Sequence, residues 1–220
     1  GDRPDTATPG LPNQQRDPVN ERSFTRGEAV RSKTFWILCL ALTLAVIGLP
    51  GYQAHWVPYF EDIYFSRELA ATALTVFGVF SIVARFVWGF LSTRHDIRLL
   101  MAIQAVLAAT GIVFIMMVQN NLMLFAWAVY QGLTLAVFFQ LQALLVVTYF
   151  GRGHIGAIRG VMFFFITLAS ATGPMLLGSL RDWQGSYTVP FIVVIGTWLL
   201  AGLAIYMAKT PKVDDTESTT

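Results

Sequence analysis

The sequence predicts an all-α membrane protein, a bundle of six transmembrane helices, on three observations. Six apolar stretches are each long enough to cross a bilayer, charge is swept into the segments between them, and basic clusters fall at every second connection. The 220 residues are 55% hydrophobic and only 13% charged, against about 25% charged in soluble domains. A soluble fold this apolar would have too little polar surface to cover itself.

The elements follow in order. Residues 1–24 carry Pro4, Pro9, Pro12 and Pro18 among Asp, Arg, Asn and Gln; such a stretch buries too little apolar area to order itself and reads as a flexible cytoplasmic tail or linker. The chain starts at Gly1 without an initiator methionine, as expected of a fragment. A membrane domain over residues 25–208 opens with Thr25-Arg26-Gly27-Glu28, the pattern of a capping box. Its spans are expected at about 35–59, 69–91, 99–118, 122–149, 160–180 and 189–207, each near the roughly 20 residues that cover a hydrocarbon core. No alternation of apolar and polar residues supports strands, and backbone groups in lipid need partners within their own segment, so the spans are helical. Residues 209–220 form a second cytoplasmic tail. The first span contains Gly48-Leu49-Pro50-Gly51, where Pro50 lacks a backbone donor and clashes with the preceding turn, predicting a kink or local unwinding. The one cysteine, Cys39, has no partner for an internal disulfide.

Orientation has its own signal. Arg22, Arg26, Arg31 and Lys33 precede the first span, Arg94 and Arg98 follow the second, Arg152 and Arg159 follow the fourth, and Lys209 and Lys212 follow the sixth. The other side holds Arg67 and Arg181, each beside acidic residues. The positive-inside rule places the basic face, with both termini, in the cytoplasm. Tyr52, Trp56, Tyr59, Trp183 and Tyr187 cluster near the opposite side, as an interfacial aromatic belt would.

One residue inside the membrane needs a reason. Arg85 is the only Lys or Arg within a span, and no Asp or Glu lies in any span interior. Six residues before Leu91, it is about 9 Å inside the cytoplasmic end. At about 100° per residue, Gly78, Ser81, Arg85, Gly89 and Ser92 share one stripe, while Phe80, Val83, Val87 and Phe90 share the opposite one. The apolar stripe suits lipid, so the small and polar stripe, with Arg85, is expected to face a neighbouring helix or a cavity. A guanidinium there can hold a carboxylate through two hydrogen bonds, or satisfy backbone carbonyls, or snorkel to the surface.

Other polar positions are less specific. Gln131 and Gln142 share a face of the fourth span and could hydrogen-bond a solute or glue neighbouring helices; Gln140 lies opposite Gln131. Thr167, Ser170, Pro174 and Gly178 form a small and polar stripe on the fifth span, with Gly156 and Gly160 as a close-packing pair leading into it. The three histidines, His55, His95 and His154, are not paired at metal-ligand spacing, and none is centred in a span beside a serine. The pattern therefore points away from an intramembrane enzyme and implies no cofactor or metal. The basic residues mark topology rather than a nucleic-acid surface.

The stretch Gly89-Phe90-Leu91-Ser92-Thr93-Arg94-His95-Asp96-Ile97-Arg98 resembles the major facilitator loop pattern G-x-x-x-D-R-x-G-x-R in its second-half copy. The glycine and basic positions match; Thr93 replaces the usual acid and Asp96 the usual glycine. Gly178 to Tyr187, and Tyr149-Phe150-Gly151-Arg152 leading into Gly156 and Gly160, are similar to the same family. The resemblance covers Thr25 to Lys209 and implies the C-terminal six-helix half of a twelve-helix carrier whose N-terminal half is missing from this sequence. Within the superfamily, Val83-Ala84-Arg85-Phe86-Val87-Trp88-Gly89 resembles the eighth helix of monocarboxylate transporters and of the oxalate/formate antiporter. That likeness implies a small organic anion as solute and Arg85 as its counter-ion; Ser81, Gln131, Gln142 and Thr167, polar positions on the spans, are expected as further solute contacts. Monocarboxylate transporters carry an acid where Ser81 stands, and the antiporter carries a lysine on the helix matching the fifth span, which has none here. Gly89, Arg94, Asp96 and Arg98 become the gating loop. Pro50 and Gly51 join them, because broken helices often line solute paths. A carrier for a neutral or cationic solute and a self-contained six-helix channel are the alternatives.

Overall fold

A computed structural model describes residues 23–208. Among them the chain forms α1 (Arg26–Arg31), α2 (Lys33–Ala54), α3 (Trp56–Asp62), α4 (Arg67–Ser92), α5 (Ile97–Met116), α6 (Asn121–Thr134), α7 (Phe138–Phe150), α8 (Ile155–Gln184) and α9 (Thr188–Met207). No strand occurs among the described residues. Six stretches are long and apolar enough to span a bilayer: α2, α4, α5, α6 with α7, α8 and α9. The predicted six-helix membrane bundle is therefore the fold. Of the tails expected at 1–24 and 209–220, residues 1–22 and 209–220 lie outside the described residues.

Local signals account for most of the helix starts. Thr25 and Glu28 make the reciprocal capping box: the Thr25 N–H donates to Glu28 Oε2 at 2.7 Å and the Glu28 N–H to Thr25 Oγ1 at 3.3 Å. Ser32, Ser66, Asp96 and Asn120 cap α2, α4, α5 and α6 with side-chain oxygens. Gly185 ends α8 in the left-handed region at φ 64°, a conformation that costs an L-residue about 1 kcal/mol. Ser23 and Phe24, expected in the tail, belong to the fold instead. The Phe24 N–H donates to the Phe150 carbonyl at 3.0 Å, and the two rings meet edge to face at 5.8 Å.

The bundle is built on α2, which packs along α8 on one side and α9 on the other, while α9 packs on α5 and α4 on α6. Glycines set the closest approaches. A Cβ on Gly48 would lie 2.8 Å from Val194 of α9, and one on Gly51 would lie 2.9 Å from the Gly173 carbonyl of α8. The four residues from Gly48 to Gly51 therefore do not break the span. α2 runs helically through Pro50, and the interruption falls at His55, between α2 and α3. Contacts from α8 and α9 hold the turn around Pro50, and the glycines that looked like breakers are what allow those contacts. On α8 the close-packing glycine is Gly173; Gly156 and Gly160 face open space among the described residues.

The fourth span differs from its expected continuous helix. α6 stops at Thr134 and α7 starts at Phe138, with a turn over Leu135–Val137. Two distant side chains occupy the carbonyls just before the turn. Trp88 Nε1 of α4 donates to Leu133 O at 2.9 Å, and Gln104 Nε2 of α5 donates to Thr134 O at 3.0 Å. In lipid, where water cannot reach a freed carbonyl, such donors are what make a turn tolerable.

The aromatic belt is also reassigned. Tyr52, Trp56, Tyr59 and Tyr187 are buried, joined through Trp127, Phe60, Phe77 and Phe191 into a cluster of edge-on and tilted rings with centroids 5.0–5.6 Å apart. Each pair in this geometry contributes about 0.5–1.5 kcal/mol beyond area burial. Trp183, at 79% exposure, keeps the accessible position expected of a belt.

Candidate functional site

α4 and α8 are the least enclosed spans among the described residues. In its most apolar 18 residues α4 is 17% buried and α8 28%, against 56% for α2. On α4 the buried stripe is Ala70, Ala73, Ser81, Ala84 and Trp88, at the 3- and 4-residue spacing of one helix face. It is turned by about one residue from the expected stripe. Of Gly78, Ser81, Arg85, Gly89 and Ser92 only Ser81 is buried, while Gly78 and Arg85 are exposed. The reason lies in α6. A Cβ on Gly132 would lie 2.6 Å from the Phe77 carbonyl and 3.3 Å from the Ser81 amide, so α6 presses on α4 at Phe77–Ser81. Two turns further on, Trp88 reaches Leu133.

Arg85 stands beside this packed stripe. Its guanidinium has no ion pair or hydrogen-bond partner among the described residues, and its neighbour Phe86 is 76% exposed. Gln140 of α7 reaches across to it, Nε2 donating to the Arg85 carbonyl at 3.2 Å. The same Nε2 lies 3.2 Å from where a Cβ on Gly89 would stand. Arg85, Gly89 and Gln140 thus meet at one place on the α4–α7 seam.

The other candidates separate. Ser81 is buried and its hydroxyl donates to the Phe77 carbonyl at 2.7 Å. Gln131 is fully buried, Nε2 donating to the Tyr52 hydroxyl at 3.4 Å and Oε1 lying against Gly111. Gln142 is buried in α7. These three are enclosed in the packing among the described residues. Thr167 is exposed on α8, away from α8's buried stripe. Gln140, set aside in the sequence because it lies opposite Gln131, is the glutamine brought to Arg85. A span of 28 residues, well beyond the length needed to cross, was the signal of a turn that could place it there.

The loop motif forms a clamp. Asp96 caps α5, its Oδ1 accepting the Arg98 N–H at 2.8 Å and its Oδ2 pairing with Arg98 Nη2 at 3.3 Å. The Arg98 N–H, with the Arg98 guanidinium, holds the Asp96 carboxyl below the usual carboxylate range. Arg98 Nη1 and the Tyr149 hydroxyl both donate to the Ala208 carbonyl, at 3.3 and 2.7 Å. The ends of α5, α7 and α9 therefore converge on one oxygen, beside a cavity of about 330 Å³ lined by Ser92, His95, Asp96, Arg98, Thr148 and Tyr149. Arg94 lies over the Phe90 ring at 4.4 Å. Pro50 and Gly51 are remote from this loop, in the α2–α8 contact. No cluster of three or more His, Cys, Asp or Glu suited to a metal occurs among the described residues.

Six spans long and apolar enough to cross a bilayer define an integral multi-pass membrane protein. Residues 34–220 match the model of the Major Facilitator Superfamily, and the chain belongs to that superfamily. It is 26% identical over 168 residues to monocarboxylate transporter 13 of Rattus norvegicus, an alignment covering 76% of this chain and 39% of that protein. It is 23% identical over 183 residues to monocarboxylate transporter 12 of the same organism, covering 81% of this chain and 37% of that protein. The chain spans less than two-fifths of the length of these relatives.

Proposed function

We propose that this chain is the C-terminal half of a secondary carrier that moves a small organic anion, a monocarboxylate, across a membrane by alternating access, with Arg85 as the counter-ion. The observation that carries the reading is the accessible guanidinium of Arg85, on a span and without an anionic partner among the described residues. A charge near a bilayer interior costs about 2.5–3.5 kcal/mol on insertion scales, and an anionic solute offsets that cost while it is bound. Two relatives named as monocarboxylate transporters support the same solute class. The open faces of α4 and α8 suit a second six-helix bundle packed against them, with the solute between. Positive-inside bias puts both termini on the cytoplasmic side of the cell membrane.

The test is uptake of a radiolabelled monocarboxylate into liposomes by the full-length protein. Arg85→Gln is expected to abolish uptake and Arg85→Lys to retain part of it. Unchanged uptake by Arg85→Gln rejects the reading.

A further inference from the structure

Resting on Arg85 as the anion site, we infer that Gln140 is the positioning residue of that site: its side-chain amide fixes the turn of α4 that carries the guanidinium.

Two bonds tie α4 to the fourth span, and they run in opposite directions. Trp88 of α4 donates to Leu133 O, and Gln140 of α7 donates to Arg85 O. The first anchors the segment before the turn at Leu135–Val137, the second the segment after it. The Arg85 carbonyl is thus gripped by the segment that the turn reorients. A guanidinium on a long side chain binds a carboxylate well only when its base is fixed, because the ordering of that chain otherwise subtracts from binding. Gln140 supplies the fixing, and the bare Cα of Gly89 gives it room, since a Cβ there would crowd Nε2 at 3.2 Å.

A glue role alone would predict only lost stability. A positioning role predicts a change in solute affinity at constant turnover. In the full-length protein, Gln140→Leu is expected to raise the KM for a monocarboxylate about three- to tenfold, the value of one net hydrogen bond, with maximal rate and thermal unfolding temperature near wild type. Gly89→Ala, which pushes the amide without altering it, is expected to raise KM in the same direction. Gln140→Glu is expected to be worse than Gln140→Leu, because a carboxylate cannot donate to the Arg85 carbonyl and its negative oxygens repel that carbonyl. Should Gln140→Leu fail to fold, Gly89→Ala and Gln140→Glu decide. An unchanged KM in the folded variants, while Arg85→Gln abolishes uptake, overturns this role and leaves the anion site standing. Unchanged uptake by Arg85→Gln overturns both.

Discussion

Gly51 of α2 and Gly173 of α8 face each other at a helix crossing that leaves no room for a side chain on either. A Cβ on Gly51 would lie 2.9 Å from the Gly173 carbonyl oxygen, and one on Gly173 would overlap the Ile47 carbonyl. Both obstacles are backbone, which cannot step aside as a flexible side chain can. With little hydrophobic drive between helices in lipid, this close approach is a main source of packing energy.

Gly173→Ala is therefore expected to destabilise the bundle by about 1–3 kcal/mol, the usual cost of overpacking. Gly160→Ala, on the same helix but facing open space, is expected to be neutral or to stabilise by a few tenths to about 1 kcal/mol through helix propensity. Thermal unfolding of both variants in the same detergent checks the contrast; equal shifts would show that the crossing is looser than described.

At the turn of the fourth span, Gln104→Leu removes the donor to the Thr134 carbonyl. Leaving that buried acceptor unpaired is expected to cost about 1–3 kcal/mol. Trp88→Phe, which keeps an aromatic ring but loses the bond to Leu133 and leaves the space of the second ring empty, is expected to cost at least as much. Hydrogen exchange over residues 133–138 should rise in both, and protection equal to wild type would contradict the assignment.

Asp96 gives a pH dependence with a definite sign. Its folded-state pKa is depressed, so it contributes stability that is present above the unfolded value of about 3.9 and lost as pH falls through the lower folded value. Asp96→Asn keeps a capping oxygen but not the charge, so wild type is expected to exceed it at neutral pH and the two to converge in acid. Unfolding temperatures measured against pH test this. A gap that widens on acidification would reverse the sign.

Tyr149→Phe deletes the shorter of the two bonds to the Ala208 carbonyl and leaves the longer one, from Arg98. The end of α9 is expected to fray, seen as faster hydrogen exchange at residues 204–208 without loss of the fold. Exchange indistinguishable from wild type would show that Arg98 alone suffices.

The spans were legible in the sequence because hydropathy and length decide them residue by residue. Capping was legible for the same reason: Thr25 and Glu28 are neighbours in the chain. What stayed hidden depends on partners far away in sequence. No Pro or Gly marks the turn at Leu135–Val137; it is held by donors at positions 88 and 104. Pro50 looked like a break because its local cost is visible, whereas the contacts of Gly48 with Val194 and Gly51 with Gly173 are tertiary. Arg85 stands out in the sequence by its rarity. Gln140 does not, because the periodicity of one uninterrupted helix puts it opposite Gln131, and a turn shifts every face beyond it.

The convergence on the Ala208 oxygen bears on how the polypeptide leaves the membrane. One span starts and two finish at a common knot, so a tug on the Ala208 end is passed to the start of α5, where Asp96 and Arg98 sit. A mechanical load, a fused reporter or a bound scaffold on that end would be transmitted to the loop after α4 before it disturbed the helices themselves.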